Sequence, residues 1–117
     1  MPGLSNSGRN AYLDGFTDVA LYASLHTADP GTAGTAEVSG SPYTREAITW
    51  GAASAGTVAT SAQIVFDVPA STITFLGYWS ASTSGTFYGS RALDTSQTYT
   101  TNGTYTIASG NLSESVT

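Results

Sequence analysis

The sequence contains no cysteine, which excludes a disulfide, a thiolate zinc site and a cysteine nucleophile. It also contains no lysine, and its three arginines, Arg9, Arg45 and Arg91, are widely separated along the chain. Binding to phosphate backbones needs clustered basic side chains, whereas this chain has a net charge of −5 and a pI near 4.2. The composition therefore argues against nucleic acid as a partner and against an anionic membrane surface.

Long hydrophobic runs are missing as well. No apolar stretch approaches the ~20 residues that a membrane span requires. Residues 1–15 lack the basic and apolar segments of a signal peptide, so we expect cytoplasmic synthesis and no membrane partner. Charged residues make up only 9% of the chain, against about 25% in an average domain, whereas serine and threonine together make up roughly 30%.

What remains is a pattern typical of β-structure. One short helix is predicted over residues 5–16, with serine and asparagine at its N-cap and Gly15 near its end. From residue 18 onwards apolar residues alternate with a period of two. In the first of these segments Ala23 and Leu25 are expected to face the core, and Ser24 and His26 to face the other way.

Turn signals recur every ~8–12 residues, including Asp29-Pro30-Gly31 and Asn102-Gly103. The candidate strands lie in residues 19–26, 43–50, 58–68, 72–81, 85–93, 97–107 (interrupted by a turn) and 111–116. This spacing predicts an all-β fold: an antiparallel β-sandwich or flattened barrel of 7–8 strands with one short N-terminal helix. We expect residues 1–117 to form a single β-sandwich domain onto which residues 1–17 dock as a helical segment.

Ser24, His26 and Asp29 are the ingredients of a hydrolase triad within six residues. On a strand, the Cα atoms of Ser24 and His26 stand about 6.8 Å apart, too far for an Oγ–Nε2 hydrogen bond unless the two rotamers converge. No G-x-S-x-G motif accompanies the serine, and an aspartate before Pro-Gly is typical of an Asx turn. We therefore interpret the cluster as a strand leading into a turn, with His26 as an exposed or turn-capping residue where the strand ends, and predict no catalytic residue.

No other pattern indicates a chemical site. The eight acidic residues are spread singly, and no calcium-loop spacing occurs. We therefore predict no metal and no cofactor. Tyrosines on polar strand faces, Tyr22 and Tyr43 above all, are expected to be exposed, where their rings suit a protein interface or stacking against sugars.

Several short motifs also occur in a characteristic order. The chain runs from "LHTADPG" (25–31) through "YTREAITW" (43–50) to the hairpin "GYWSASTSGTFYGS" (77–90) and the tail "NGTYTIASGNLSESV" (102–116). In this order the motifs resemble those of small virion structural proteins of tailed phages, particularly phages of actinobacteria. Such proteins are described variously as tail fibre, minor structural or head decoration proteins.

The resemblance implies a virion β-protein without enzymatic activity. We expect a capsid decoration or minor capsid subunit, because 117 residues leave little room for a fibre shaft; a tail-fibre or tail-associated protein is the alternative. The implied partners are the phage major capsid protein or other virion proteins, and copies of the chain itself, with a trimer as the expected assembly. The protein would be made in the host cytoplasm and lie on the surface of the assembled particle.

A third hypothesis is a carbohydrate-binding module for host-surface glycans, which predicts exposed coplanar aromatic side chains. The residues expected to contact a partner are Tyr22, His26, Asp29, Pro30, Tyr43 and Arg45.

Overall fold

A computed structural model describes residues 3–116. The chain begins with one helix, α1 (Asn6–Val19), and continues with eight strands. The strands are β1 (Tyr22–His26), β2 (Glu46–Ala47), β3 (Thr57–Ala59), β4 (Ile64–Val68), β5 (Ser71–Trp79), β6 (Phe87–Tyr99), β7 (Gly103–Ile107) and β8 (Ser113–Ser115). All the pairings are antiparallel, and the arrangement is sandwich-like and not a closed barrel, which confirms the predicted fold class.

The strands form one larger sheet and two ribbons. The larger sheet has the order β2-β1-β5-β6, and the ribbons pair β3 with β8 and β4 with β7. Alternate residues of β4, namely Ile64, Phe66 and Val68, are buried as the sequence predicts. They pack in one core with Ala23 and Leu25 of β1, and with apolar residues of β5 and β7.

Helix α1 extends one turn beyond its predicted end. Ser5 caps it by accepting a hydrogen bond from the backbone N–H of Gly8, and the helix passes through Gly15 to Val19. Phe16 fixes the last turn, because its ring packs edge-on against those of Trp50 and Tyr78 at centroid distances of 5.9 and 5.1 Å. This docking outweighs the low helix propensity of the glycine.

Four strand predictions need correction. The sequence predicts separate strands for residues 85–93 and 97–99, but residues 87–99 form the single strand β6. Of residues 43–50 only Glu46–Ala47 form a strand. Ile48 still donates to the Leu21 carbonyl beside β1. The chain then crosses to the segment between β3 and β4, where Thr49 accepts from Ser61 and Trp50 forms a β-bridge with Thr60. Residues 58–68 contribute to two strands, β3 and β4, instead of one. The chain does bend before Gly103, but β7 pairs with β4 and not with β6.

Candidate functional site

The face of β1 opposite the core is buried, although its polar side chains predict exposure. Ser24 and His26 both have an exposed fraction of 0%. Residues 27–45, which leave β1 at the Asp-Pro-Gly turn, fold back over this face, and Pro30 is buried beneath them. The prediction that His26 is exposed at the strand end is therefore wrong, because the loop that directly follows β1 folds back over the strand.

Ser24 and His26 belong to a fully satisfied buried hydrogen-bond network. The His26 ring lies 2.8 Å from the Thr35 carbonyl through Nδ1, which must therefore be the protonated nitrogen. Nε2 then accepts from the Ser24 hydroxyl at 2.6 Å, and the Ser24 oxygen accepts from Trp79 Nε1 at 2.9 Å. The two side-chain rotamers therefore converge and bring the Ser24 oxygen and His26 Nε2 within hydrogen-bonding distance, although the spacing of their Cα atoms on a strand alone would not.

This geometry looks like a nucleophile and its base, but the surroundings give it another role. The Ser24 oxygen is buried and already accepts a hydrogen bond from an indole. Asp29 does not reach the histidine; its Oδ1 accepts from the Gly31 N–H at 2.8 Å, as the predicted Asx turn requires. The pair therefore holds β1, β5 and the loop together through buried polar contacts.

Arg45 fastens the covering loop (residues 27–45). Its Nε and Nη2 donate to the two carboxylate oxygens of Glu37 at 2.9 Å each, a bidentate pair whose side chains are 10% and 23% exposed. Nη1 donates to the carbonyls of Ala81 and Ser84 in the β5–β6 turn, and the guanidinium lies 3.7 Å from the centre of the Trp79 ring. One side chain thus ties the loop to a hairpin 36 to 39 residues further along.

Tyr43 completes this cluster and is not the exposed ring that its position predicts. Its hydroxyl donates to Glu37 at 2.7 Å and accepts from the Leu25 N–H at 3.0 Å, and its ring stacks on Phe66. Burial raises the pKa of Tyr43, with the Glu37 carboxylate adding to the effect. The tyrosine remains protonated and works as a structural donor.

Of the six residues predicted to contact a partner, the structure brings three together: His26, Tyr43 and Arg45 share the Glu37 cluster. The others lie apart. Pro30 is buried, Asp29 is exposed at the turn, and Tyr22 is half-buried at the start of β1, opposite Ala47 and Trp79. The sequence does not identify Glu37 and Trp79 as members of the cluster. Trp79 is distant along the chain, and Glu37, although only six and eight residues from Tyr43 and Arg45, lies in a loop with no periodic pattern to place it.

The titration behaviour of the cluster follows from burial and charge. Burial lowers the pKa of His26 below its ordinary 6.5, against the opposing effects of the Thr35 carbonyl and Glu37. Burial also acts to raise the pKa of Glu37, but hydrogen bonds from Arg45 and Tyr43 and the arginine charge outweigh it, so the pKa falls below 4.5. At neutral pH the histidine is neutral and the glutamate is charged.

Acid is therefore expected to weaken the fold through His26. The unfolded state binds more protons below pH 6.5, so stability present above that pH is lost as the pH falls below it. The corresponding loss through Glu37 begins only below its unfolded value of 4.5. Urea titrations at about pH 7.5 and about pH 5 should show a smaller fall in midpoint for His26→Gln than for the unsubstituted chain; equal falls would contradict this account.

A second ion pair lies at the other side of the larger sheet. Arg91 of β6 donates to Glu114 of β8 at 3.2 Å and to the Ser113 carbonyl, and the buried Tyr78 hydroxyl also donates to Glu114. Burial raises the pKa of Tyr78, and the carboxylate adds to the effect. These contacts hold the last strand against β5 and β6.

An open groove of about 500 Å³ lies between β6, β7 and the turn before β8. Its floor is apolar and includes the buried Leu76 and Leu112, and its rim carries polar side chains of residues 91–97, Tyr105 and Asn111. An irregular pairing shapes β6 here: Ile73 pairs with Gln97 and Phe75 with Ala92, so that four residues of β6 oppose Thr74 alone. The sequence predicts a break between two strands at residues 94–96 and not a bulge within one continuous strand.

Within residues 3–116, no helix is long and apolar enough to cross a membrane. The same residues contain no group of three or more histidine, cysteine, aspartate or glutamate side chains placed to hold a metal ion.

A family model described as "Podophage GP4 fiber I protein gp80" matches residues 3–115. The matched range contains α1 and all eight strands, and with them both ion pairs and the groove. A search of curated proteins finds no match.

Proposed function

We propose that this chain, which belongs to the podophage GP4 fiber I protein gp80 family, is a subunit of the tail fibre of a phage particle. The observation that carries the proposal is the family match over residues 3–115, which spans the whole described fold. The family is one of phage structural proteins, so the resemblance in the sequence motifs to virion proteins is confirmed at that level. The narrower assignment to phages of actinobacteria remains a prediction.

The family favours the fibre over the capsid surface. The short sequence predicts decoration of the head, with the tail fibre as the alternative. Length alone does not decide between them, since a short chain can form one segment of a longer fibre. The fold supports such a role, because its dimensions are 47 × 27 × 23 Å and β6, with 13 residues, is hydrogen-bonded to another strand along one side only.

In this role the chain works by contact and not by catalysis. The Ser24–His26 pair, which most resembles catalytic chemistry, is buried in structural hydrogen bonds. We propose other virion proteins and further copies of the chain as partners, with a trimer as the expected assembly. The outer surface of the covering loop, including the exposed Asp29, is the contact region that the six predicted residues suggest.

Removal of the chain from the phage tests this assignment. Particles that lack it are expected to adsorb poorly to host cells while their heads remain as resistant to heat as those of the complete phage. Counting unadsorbed particles after mixing with cells measures the first property, and DNA release on heating measures the second. Normal adsorption together with heat-sensitive heads would support the decoration role instead.

A further inference from the structure

The geometry of the groove beside β6 points to a binding site for a neutral saccharide. We infer that the bulge of β6 presents Asp94 and Gln97, together with Tyr105 and Asn111, to the hydroxyl groups of a sugar chain lying in this groove. The inference deepens the proposed function and rests on it only for the source of the ligand, a polysaccharide on the host surface.

The first argument is the state of the polar groups. Asp94, Gln97 and Asn111 are exposed, and across residues 3–116 their side chains form no hydrogen bond or ion pair with the protein. The carboxylate of Asp94 accepts hydrogen bonds, and the amides of Gln97 and Asn111 both donate and accept them. A sugar hydroxyl can likewise donate and accept. These side chains are therefore free to bind a polyhydroxylated ligand.

The second argument is the combination of this rim with an apolar floor. Leu76 and Leu112 are buried below the groove, and Leu93 is half-buried at its side. The half-buried Tyr105 ring contacts Phe66 at a centroid distance of 6.4 Å and also lines the groove, so it adds aromatic surface there. A sugar ring combines apolar C–H groups with hydroxyl groups, and a groove whose lining is mostly polar, with apolar side chains at its base, can contact both.

The charges at the groove favour a neutral sugar over an acidic one. Arg91 is already engaged by Glu114 and the Ser113 carbonyl, so Asp94 is the unpaired charge at the groove. The chain as a whole carries a net charge of −5. An acidic polysaccharide would be repelled, and a neutral one would not.

The bulge itself supports a binding role. Bulges re-aim side chains and occur often beside functional sites. They also protect free strand edges from pairing, but that protection does not require an open groove with unpartnered polar groups. Thr74, opposite the bulge, has a buried hydroxyl with no hydrogen-bond partner among the described residues, a local cost of this geometry.

Native gel electrophoresis of the full chain through immobilised polysaccharide tests the inference. Dextran, mannan, galactan and glycol chitin serve as neutral probes, and polygalacturonate serves as the acidic one. We expect at least one neutral polymer to retard the protein and the acidic polymer not to. Asp94→Ala and Gln97→Ala should each weaken that binding by at least about tenfold.

Asp67→Ala is the matched control, because Asp67 is also an exposed strand aspartate but lies outside the groove. It should bind like the unsubstituted chain, and all three variants should unfold at unchanged urea concentrations. The inference is overturned if no neutral polymer retards the chain, or if the Asp94 and Asp67 variants bind equally. It is also overturned if Asp94→Ala abolishes binding of a virion protein while no saccharide binds. The assay uses the free chain, so its failure is distinct from a failure of the fibre assignment.

Discussion

Replacing Arg45 with methionine is expected to lower the free energy of unfolding by about 3–5 kcal/mol. Methionine retains an unbranched apolar stem but leaves the Glu37 carboxylate, 23% exposed, without its counter-charge. The carbonyls of Ala81 and Ser84 lose their donor, and the Trp79 ring loses its cation. Domains of this kind have a total stability of about 5–15 kcal/mol, so the variant should be close to unfolding. Urea titration followed by tryptophan fluorescence measures the change.

Arg91→Met is the matched control for this prediction. Arg91 also pairs with a glutamate, but its side chain is 40% exposed, and the pair is correspondingly screened by solvent. We expect Arg91→Met to lower the free energy of unfolding by no more than about 1 kcal/mol. Removing Glu37 as well, in Arg45→Met with Glu37→Leu, should restore part of the lost stability, because no buried charge is then left alone. Equal effects of the two arginine substitutions would show that Arg45 does not fasten the loop.

Adding a single methyl group at Gly77 is expected to destabilise the fold by about 3 kcal/mol. Gly77 lies in β5 directly opposite Ser24, and its backbone borders the buried hydrogen-bond network. A Cβ atom there would lie 2.5 Å from the Ser24 oxygen and 2.7 Å from His26 Nε2. Both contacts are closer than atoms can approach, so the Ser24–His26 hydrogen bond must break or the strand must shift.

The same substitution at Gly15 should have the opposite effect. Gly15 lies within α1, and a Cβ atom there would meet no other atom within 4 Å. Gly15→Ala is therefore expected to stabilise the protein by about 0.5–1 kcal/mol, through the higher helix propensity of alanine. Urea midpoints of the two variants should shift in opposite directions. A Gly77→Ala protein as stable as the unsubstituted chain would mean that β1 and β5 are packed less closely than described.

The sequence predicts those features of the fold that depend on local periodicity, such as which residues of a strand face the core. Alternation places Ala23 and Leu25 in the core, and likewise the three apolar residues of β4, because a strand fixes which side chains share a face. It does not show whether the opposite face meets water. Ser24 and His26 are buried because Arg45 holds the covering loop over them through contacts with a hairpin 36 to 39 residues further along the chain. Periodicity has no information about such contacts.

The groove is hidden from sequence analysis for a related reason. The sequence predicts a break between candidate strands at residues 94–96, whereas β6 is continuous there. Only its pairing with β5 shows that residues 93–96 bulge opposite Thr74. The sequence does predict the hairpin that joins β5 to β6, because its turn residues are local. Local turns are thus predictable, whereas the register between strands depends on how the whole sheet packs.

The position of this chain on the particle tests the central claim most directly. Gold-labelled antibody against the purified chain, viewed on intact phage by electron microscopy, would report that position. The fibre assignment predicts label at the tail, on the appendages around it, and an unlabelled head surface. Label spread over the head, with none at the tail, would contradict it.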